Sequence, residues 1–260
     1  MVCAPDILIF DSGLGGLTVF REIVKARPDA RYRYLADDVR FPYGRIPENE
    51  LIARVLEVIG AAVRSRTPDL IVIACNTAST LALKELRATF KTPFVGTVPA
   101  IKPACARSRS KLVSVLGTEA TVAREYTRGL IRQFGQGCDV KLVGSARLAA
   151  FAEGELDGNP ASDAAIAAEL AACFVAEGGR RTDTIALACT HYPLLRDRLE
   201  SLAPWPVDWI DPAPAIARRV VDLIGEPASA DDPPAAISFT SGRTPSEKLA
   251  KALRGYGFRV

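Results

Sequence analysis

Short apolar runs alternate with amphipathic helical patterns along the chain. Ile7–Phe10 precedes Leu17–Lys25, Leu70–Ala74 precedes Leu81–Phe90, Leu112–Leu116 precedes Ala120–Phe134, and Thr184–Ala188 precedes Leu194–Leu202. A run that stays apolar without alternating is a strand covered on both faces, and a helix after each one is the crossover that a parallel sheet requires. Shorter strands follow the same reading at Pro93–Val95, Val207–Asp211 and Ile237–Thr240, with helices over Pro214–Gly225 and from about Pro245 onward. Pro227–Pro234, rich in Pro, Ala and Asp, reads as an exposed loop. The predicted fold class is α/β.

The pattern is also duplicated. Thr18-Val-Phe-Arg-Glu22 and Thr121-Val-Ala-Arg-Glu125 share Thr-Val-x-Arg-Glu, and each lies upstream of a cysteine that closes an apolar run, Cys75 in one copy and Cys189 in the other. The matching order predicts two pseudo-symmetric parallel-sheet domains, flavodoxin-like, with the active site in the cleft between them. Two prolines punctuate Gly96–Pro103, which marks the crossing into the second half, and Pro204-Trp-Pro206 marks the return. The first domain is therefore expected over 1–97 plus 208–260, carrying Cys75, and the second over 98–207, carrying Cys189.

The two cysteines are the candidate chemistry. Cysteine at the end of an apolar run is ordinarily packing, since free cysteine is among the most buried residue types. Here both copies continue with hydrogen-bonding side chains, Asn76-Thr77 and Thr190-His191, which packing alone does not require. A cysteine just past a strand, at the mouth of a helix, meets unpaired N–H groups and the positive end of the helix dipole. On that ground each thiol is expected to ionise more easily than a free one. Two such thiols suggest a paired acid/base site.

Asp11-Ser-Gly-Leu-Gly-Gly-Leu-Thr18 also follows a strand and opens a helix. It departs from the dinucleotide fingerprint, because Thr18 stands where the third glycine belongs and Asp11 occupies the strand end that phosphate would approach. Two readings remain for these glycines: a simple tight turn, or a loop whose N–H groups approach a small anion while Asp11 and Ser12 contact an amine or orient a catalytic group.

Composition narrows the function classes. Net charge is +3 and Lys and Arg are dispersed without a run of five, so nucleic acid is not an expected partner. Six cysteines show no C-x-x-C pair and no zinc-ligand spacing, so no metal is expected. No stretch approaches the roughly 20 apolar residues of a membrane span. The N-terminal run is broken by Asp6 and Asp11 and lacks a basic leader, so it reads as a first strand, and the expectation is a cytoplasmic protein with free thiols.

Taken in order, Asp11–Val19, Pro42-Tyr-Gly44, Ala74-Cys-Asn-Thr-Ala78, Thr121-Val122 with Tyr126, and Cys189-Thr-His-Tyr-Pro193 resemble the glutamate racemase family over nearly the whole chain. The resemblance implies a cofactor-independent racemase of two α/β domains, often dimeric, that supplies D-glutamate for bacterial peptidoglycan. It assigns the acid/base pair to Cys75 and Cys189, with Asp11 assisting beside Cys75 and His191 beside Cys189. By the same resemblance the substrate is met by Asp11, Ser12, Tyr43, Gly44, Asn76, Thr77, Thr121, Thr190 and His191. Ser12, Asn76 and Thr190 also suit ordinary capping, and His191 an ordinary hydrogen bond. The family's further acid aligns with Glu153, with Glu155 as the alternative. Ala188 stands where the family commonly has glycine, and Pro212 where serine commonly follows the aspartate. Inverting a stereocentre through a planar carbanion needs a base on one face and an acid on the other, which two thiols across a cleft provide. An aspartate racemase of the same two-cysteine logic and a two-domain binding protein are the rivals, the second disfavoured because holding a ligand needs neither thiol.

Overall fold

The computed structural model describes residues 4–228 and 235–260. Cys3 and most of the loop read over Pro227–Pro234 lie outside them. The chain runs β1 (Asp6–Asp11), α1 (Leu17–Ala26), β2 (Arg31–Ala36), α2 (Glu48–Ser65), β3 (Leu70–Ile73), α3 (Asn76–Thr89) and β4 (Phe94–Gly96). It continues α4 (Ile101–Arg107), β5 (Leu112–Thr118), α5 (Glu119–Ala123), α6 (Glu125–Phe134), β6 (Asp139–Ser145), α7 (Leu148–Leu156) and α8 (Asp163–Leu170). A small antiparallel pair, β7 (Ala176–Glu177) and β8 (Arg180–Arg181), leads to β9 (Thr184–Ala188), α9 (Arg196–Ser201), β10 (Asp208–Ile210), α10 (Ala213–Ile224), β11 (Ala236–Phe239) and α11 (Glu247–Gly255).

The principal strands form two parallel sheets, one in the order β11-β2-β1-β3-β4 and the other β10-β9-β5-β6. Counted within its own half, each sheet repeats the flavodoxin-like order 2-1-3-4, so the duplication read from the sequence is a duplication of topology. Their central strands are wholly buried: β1 and β3 have every residue covered, as does β9. That is why these stretches read as continuous apolar runs. Helices cover both faces, and α10 returns to the first half by packing on α1. Among the described residues no helix is long and apolar enough to cross a membrane.

Four expectations are corrected. Val207–Asp211 does not rejoin the first sheet, because β10 pairs with β9, with Trp209 opposite Ile185. The helix read over Ala120–Phe134 is broken at Arg124, whose extended backbone (ψ 143°) turns the chain from α5 into α6. The helix after Cys75 starts at Asn76 rather than Leu81, and Cys75 itself is its N-cap. After Cys189, by contrast, comes a single 3₁₀ turn, Tyr192–Leu195, before the short α9. The two thiols thus share a strand end but not a helix mouth.

Candidate active site

In doubly wound sheets, ligands bind beyond the carboxyl ends of strands where the winding changes direction. Here that point lies between β1 and β3 in one half and between β5 and β9 in the other, and the two ends face each other. Cys75 and Cys189 both line the resulting cleft, together with Ser12, Phe41, Pro42, Tyr43, Gly44, Asn76, Thr77, Thr118, Ala149, Thr190 and His191. The cleft is closed down to about 20 Å³ of free room. Pockets that hold small molecules are usually some hundreds of Å³, so in this closed form the cleft has little room for a ligand.

Cys75 meets the Ala78 N–H at 3.5 Å and the Ser12 hydroxyl at 3.6 Å. Burial nevertheless pushes its thiol well above the ordinary range and the nearby Asp11 adds to this, although the Ala78 N–H and Ser12 hydroxyl pull the other way. The expectation of an easily ionised Cys75 is reversed in the closed form: desolvation by the opposite half outweighs one helix terminus. Across the cleft, His191 Nδ1 stands 3.9 Å from Cys189 Sγ, and Nε2 lies 2.8 Å from Glu153 Oε1. Burial disfavours the imidazolium, but Cys189 and Glu153 outweigh it and hold His191 protonated well above its usual pKa. The Gly15 N–H also approaches Nε2, at 3.1 Å. With the ring protonated, Nε2–H donates to Glu153.

The glycine loop has its N–H groups taken up within the protein. Its N–H groups point at the protein's own carboxylates: Leu14 donates to Glu153 at 2.6 Å, and Ser12 and Gly16 donate to the two oxygens of Asp11 at 2.9 and 2.5 Å. A Cβ at Gly13 would come 2.2 Å from Glu153 Oε1, and one at Gly15 would come 2.3 Å from His191 Nδ1. Gly13 and Gly15 are needed because side chains of the second half press onto this backbone. Asp11, wholly buried, also accepts from Thr190 Oγ1 at 3.3 Å. Burial raises its pKa, opposed by His191 and the two N–H donors. Asp11 acts on Cys75 through its charge, whereas the side chain in contact with that thiol is Ser12.

Of the substrate-contacting residues expected from sequence, Ser12, Tyr43, Gly44, Asn76, Thr77, Thr190 and His191 line the cleft. Thr121 stands behind it, 2.9 Å from Thr118 Oγ1 and 3.4 Å from Thr77 Oγ1. Between the two candidate acids, Glu153 is joined to His191, while Glu155 pairs outward with Arg198 at 3.1 Å. Three lining residues escaped the sequence reading: Ala149, Phe41, whose ring sits 5.2 Å from that of His191, and Thr118. Thr118 ends β5 as Asp11 ends β1, so the duplication carried a signal for it. Asp37 is a fourth omission, wholly buried behind the Tyr43 loop and bonded to the Tyr43 hydroxyl at 2.6 Å. Asp38 beside it left no way to tell the two apart. Among the described residues, no three His, Cys, Asp or Glu side chains gather as metal ligands would.

Comparison with known proteins places this geometry in a family. The family model described as Asp/Glu/Hydantoin racemase matches residues 11–220. The chain is 50% identical to glutamate racemase of Brucella ovis over 98% of its own length and 94% of that protein, and 48% identical to glutamate racemase of Brucella anthropi over 96% and 91%. The crystal structure of Escherichia coli glutamate racemase, in complex with L-glutamate and the activator UDP-MurNAc-ala, matches with a TM-score of 0.88 at 39% identity, covering 98% of this chain and 96% of that one. Glutamate racemase from Aquifex pyrophilus matches with a TM-score of 0.75 at 31% identity, covering 98% and 97%. The cleft between equivalent strand ends therefore belongs to an amino-acid racemase of the glutamate racemase type, and the chain is a member of the Asp/Glu/hydantoin racemase family.

Proposed function

We propose that the protein interconverts L- and D-glutamate without a cofactor, using Cys75 and Cys189 as the two acid/base groups. The observation that carries this reading is the convergence of both thiols on one closed cleft from topologically equivalent strand ends. One cysteine, as thiolate, takes the α-proton from one face. The planar carbanion then accepts a proton from the thiol opposite, and the two sulfurs have exchanged protonation states. His191, protonated and held between Cys189 and Glu153, supports the Cys189 side, and the Ser12 hydroxyl with the Ala78 N–H supports Cys75. Closure excludes water from the carbanion and fixes the donors before reaction.

Both amide atoms of Asn76 are buried without a hydrogen-bond partner. Buried polar groups are rarely left so, and an amino acid's carboxylate and ammonium would satisfy them, with Thr77 and Thr190 alongside. The E. coli relative, whose complex contains L-glutamate, favours glutamate as that amino acid. D-glutamate made this way would enter peptidoglycan synthesis and so serve the cell wall and cell shape. The family resemblance also supports a homodimer and a cytoplasmic location. With β10 in the second sheet, we place the division of halves at about 1–97 plus 212–260 and 98–211.

The test is incubation of the purified protein with L-glutamate, D-glutamate or L-aspartate in D₂O, following enantiomer composition and α-deuterium together. Racemisation of glutamate with deuterium entering at Cα is the expected result. The same result on aspartate alone reassigns the substrate, and a folded protein that exchanges none of the three overturns the reading.

A further inference from the structure

An ion pair spans the two halves near the cleft. Glu48 opens α2, where a carboxylate suits the positive end of a helix. Arg124 stands in the break between α5 and α6, and its Nη1 donates to Glu48 Oε1 at 2.6 Å. The arginine side chain is only 7% exposed, against 66% for the glutamate. Its Nε is buried with no partner at all. Burying a guanidinium with an unpaired donor is costly, so stability does not account for its position.

What lies beside it does. The short helix α5, which ends at Arg124, packs on α3 and on the 3₁₀ turn Tyr43–Arg45 of the first half. Through Thr121, whose Oγ1 is 3.4 Å from that of Thr77, it reaches the first turn after Cys75. We infer that Arg124 is a positioning residue whose ion pair with Glu48 forms as the halves close, brings a guanidinium to the Cys75 side of the cleft, and favours the Cys75 thiolate there. The inference rests on the two-thiol reading above and adds a closure-dependent charge to it.

The electrostatic surroundings agree. Asp11 and Cys189 both oppose ionisation of Cys75, and the charge on Cys75 is felt in turn by the buried phenols of Tyr34 and Tyr43 and by the Arg124 guanidinium. Burial lowers the Arg124 pKa, and the charges of Glu48 and Cys75 offset this only in part. A thiol made hard to ionise by burial thus gains a cation through the same movement that buries it, and loses it when the halves part to exchange substrate.

The experiment compares wild type, R124M, R124K, E48Q and the R124M/E48Q double variant of the full chain, measuring kcat and KM for glutamate against pH together with Tm. In R124M, kcat at neutral pH is expected to fall about tenfold, with the rising limb of the kcat profile moved up by about one pH unit. The corresponding limb of kcat/KM, which reports the free enzyme, stays in place. R124K restores most of the rate because it keeps the charge. E48Q reproduces part of the shift and adds nothing in the R124M background, as expected of partners in one interaction. A lowered Tm with the kcat limb unmoved in both Arg124 variants, or fully additive effects, overturns the inference while leaving racemisation intact. Wild-type protein inert on glutamate in the same assay instead overturns the reading on which it rests.

Discussion

Glu153 Oε1 lies 2.8 Å from His191 Nε2, and the same oxygen accepts the Leu14 N–H from the opposite half at 2.6 Å. One carboxylate therefore fixes the imidazole beside Cys189 and ties it to the glycine loop of the first half. Glu153→Gln keeps the shape and removes the charge that helps hold His191 protonated. The folded pKa of His191 is raised, so losing Glu153 lowers it and the imidazole deprotonates at lower pH. The expected outcome is a fall in kcat of about 10²-fold, the lower end for loss of a proton-transfer group, with the alkaline limb of the kcat profile moved down. Glu155→Gln, which touches only the Arg198 pair, leaves kcat within about twofold.

On the proposed two-thiol mechanism, Cys75→Ala and Cys189→Ala each remove the acid/base from one face of the α-carbon. Racemisation is expected to fall by about 10⁴-fold or more in either variant, with Tm little changed for so small a truncation. Cys75→Ser should retain a trace of activity at best, since an alkoxide is far harder to form than a thiolate. Near-normal turnover in either alanine variant would sink the two-thiol mechanism. The measurement is enantiomer composition over time, with circular dichroism of each variant as the check on folding.

The two-half architecture was legible because β1, β3, β5 and β9 are buried on both faces and so print as apolar runs. β6, at an edge, alternates exposed and covered residues and gave no such run. The three residues of β10 carry no information on which sheet they join; that is settled by pairing with β9. Nothing in Thr121–Glu125 marks a helix break, since neither glycine nor proline is present: the chain turns at Arg124, where the side chain pairs with Glu48 across the cleft. At the site, the sequence made legible both cysteines and most of the polar residues that line the cleft beside them. It misled on the ionisation of Cys75, because the N-cap position is local and visible whereas the desolvating opposite half is not.

Asp37 supplies a stability prediction. Its buried carboxylate accepts from the Tyr43 hydroxyl at 2.6 Å, from Arg54 at 2.6 and 3.0 Å, and from Thr240 at 2.7 Å. Burial alone would raise its pKa, but the bonds from Arg54, Tyr43 and Thr240 together hold it below the ordinary carboxylate range. A depressed folded pKa means stability that is fully present above the unfolded value near 4 and is lost as pH falls through the folded one. Asp37→Asn should cost about 3 kcal/mol at neutral pH, as for a broken buried pair, and flatten the acid side of the stability profile. Because Tyr43 lines the cleft, KM should rise as well. Urea denaturation from about pH 3 to 7, with KM at neutral pH, checks both; an unchanged acid profile would rule out Asp37 as the anchor of the Tyr43 loop.

The remaining thiols separate chemistry from packing. Cys105 and Cys173 are buried in apolar clusters of the second half, and Cys138 packs beside Cys105, with its Sγ 3.6 Å from the Cys105 carbonyl. Burial pushes both Cys105 and Cys173 up to about 12, as it raises Cys75, but neither lines the cleft, so they read as thiols that fill space. Replacing Cys105, Cys138 and Cys173 together with alanine should leave kcat and KM within about twofold while lowering Tm, because each buried site loses a sulfur's worth of contact. If racemisation disappears in a triple variant that remains folded, the acid/base pair has been placed on the wrong sulfurs. If it survives while the Cys75 and Cys189 variants are inactive, the chemistry belongs to the two strand ends that the duplicated topology brings face to face.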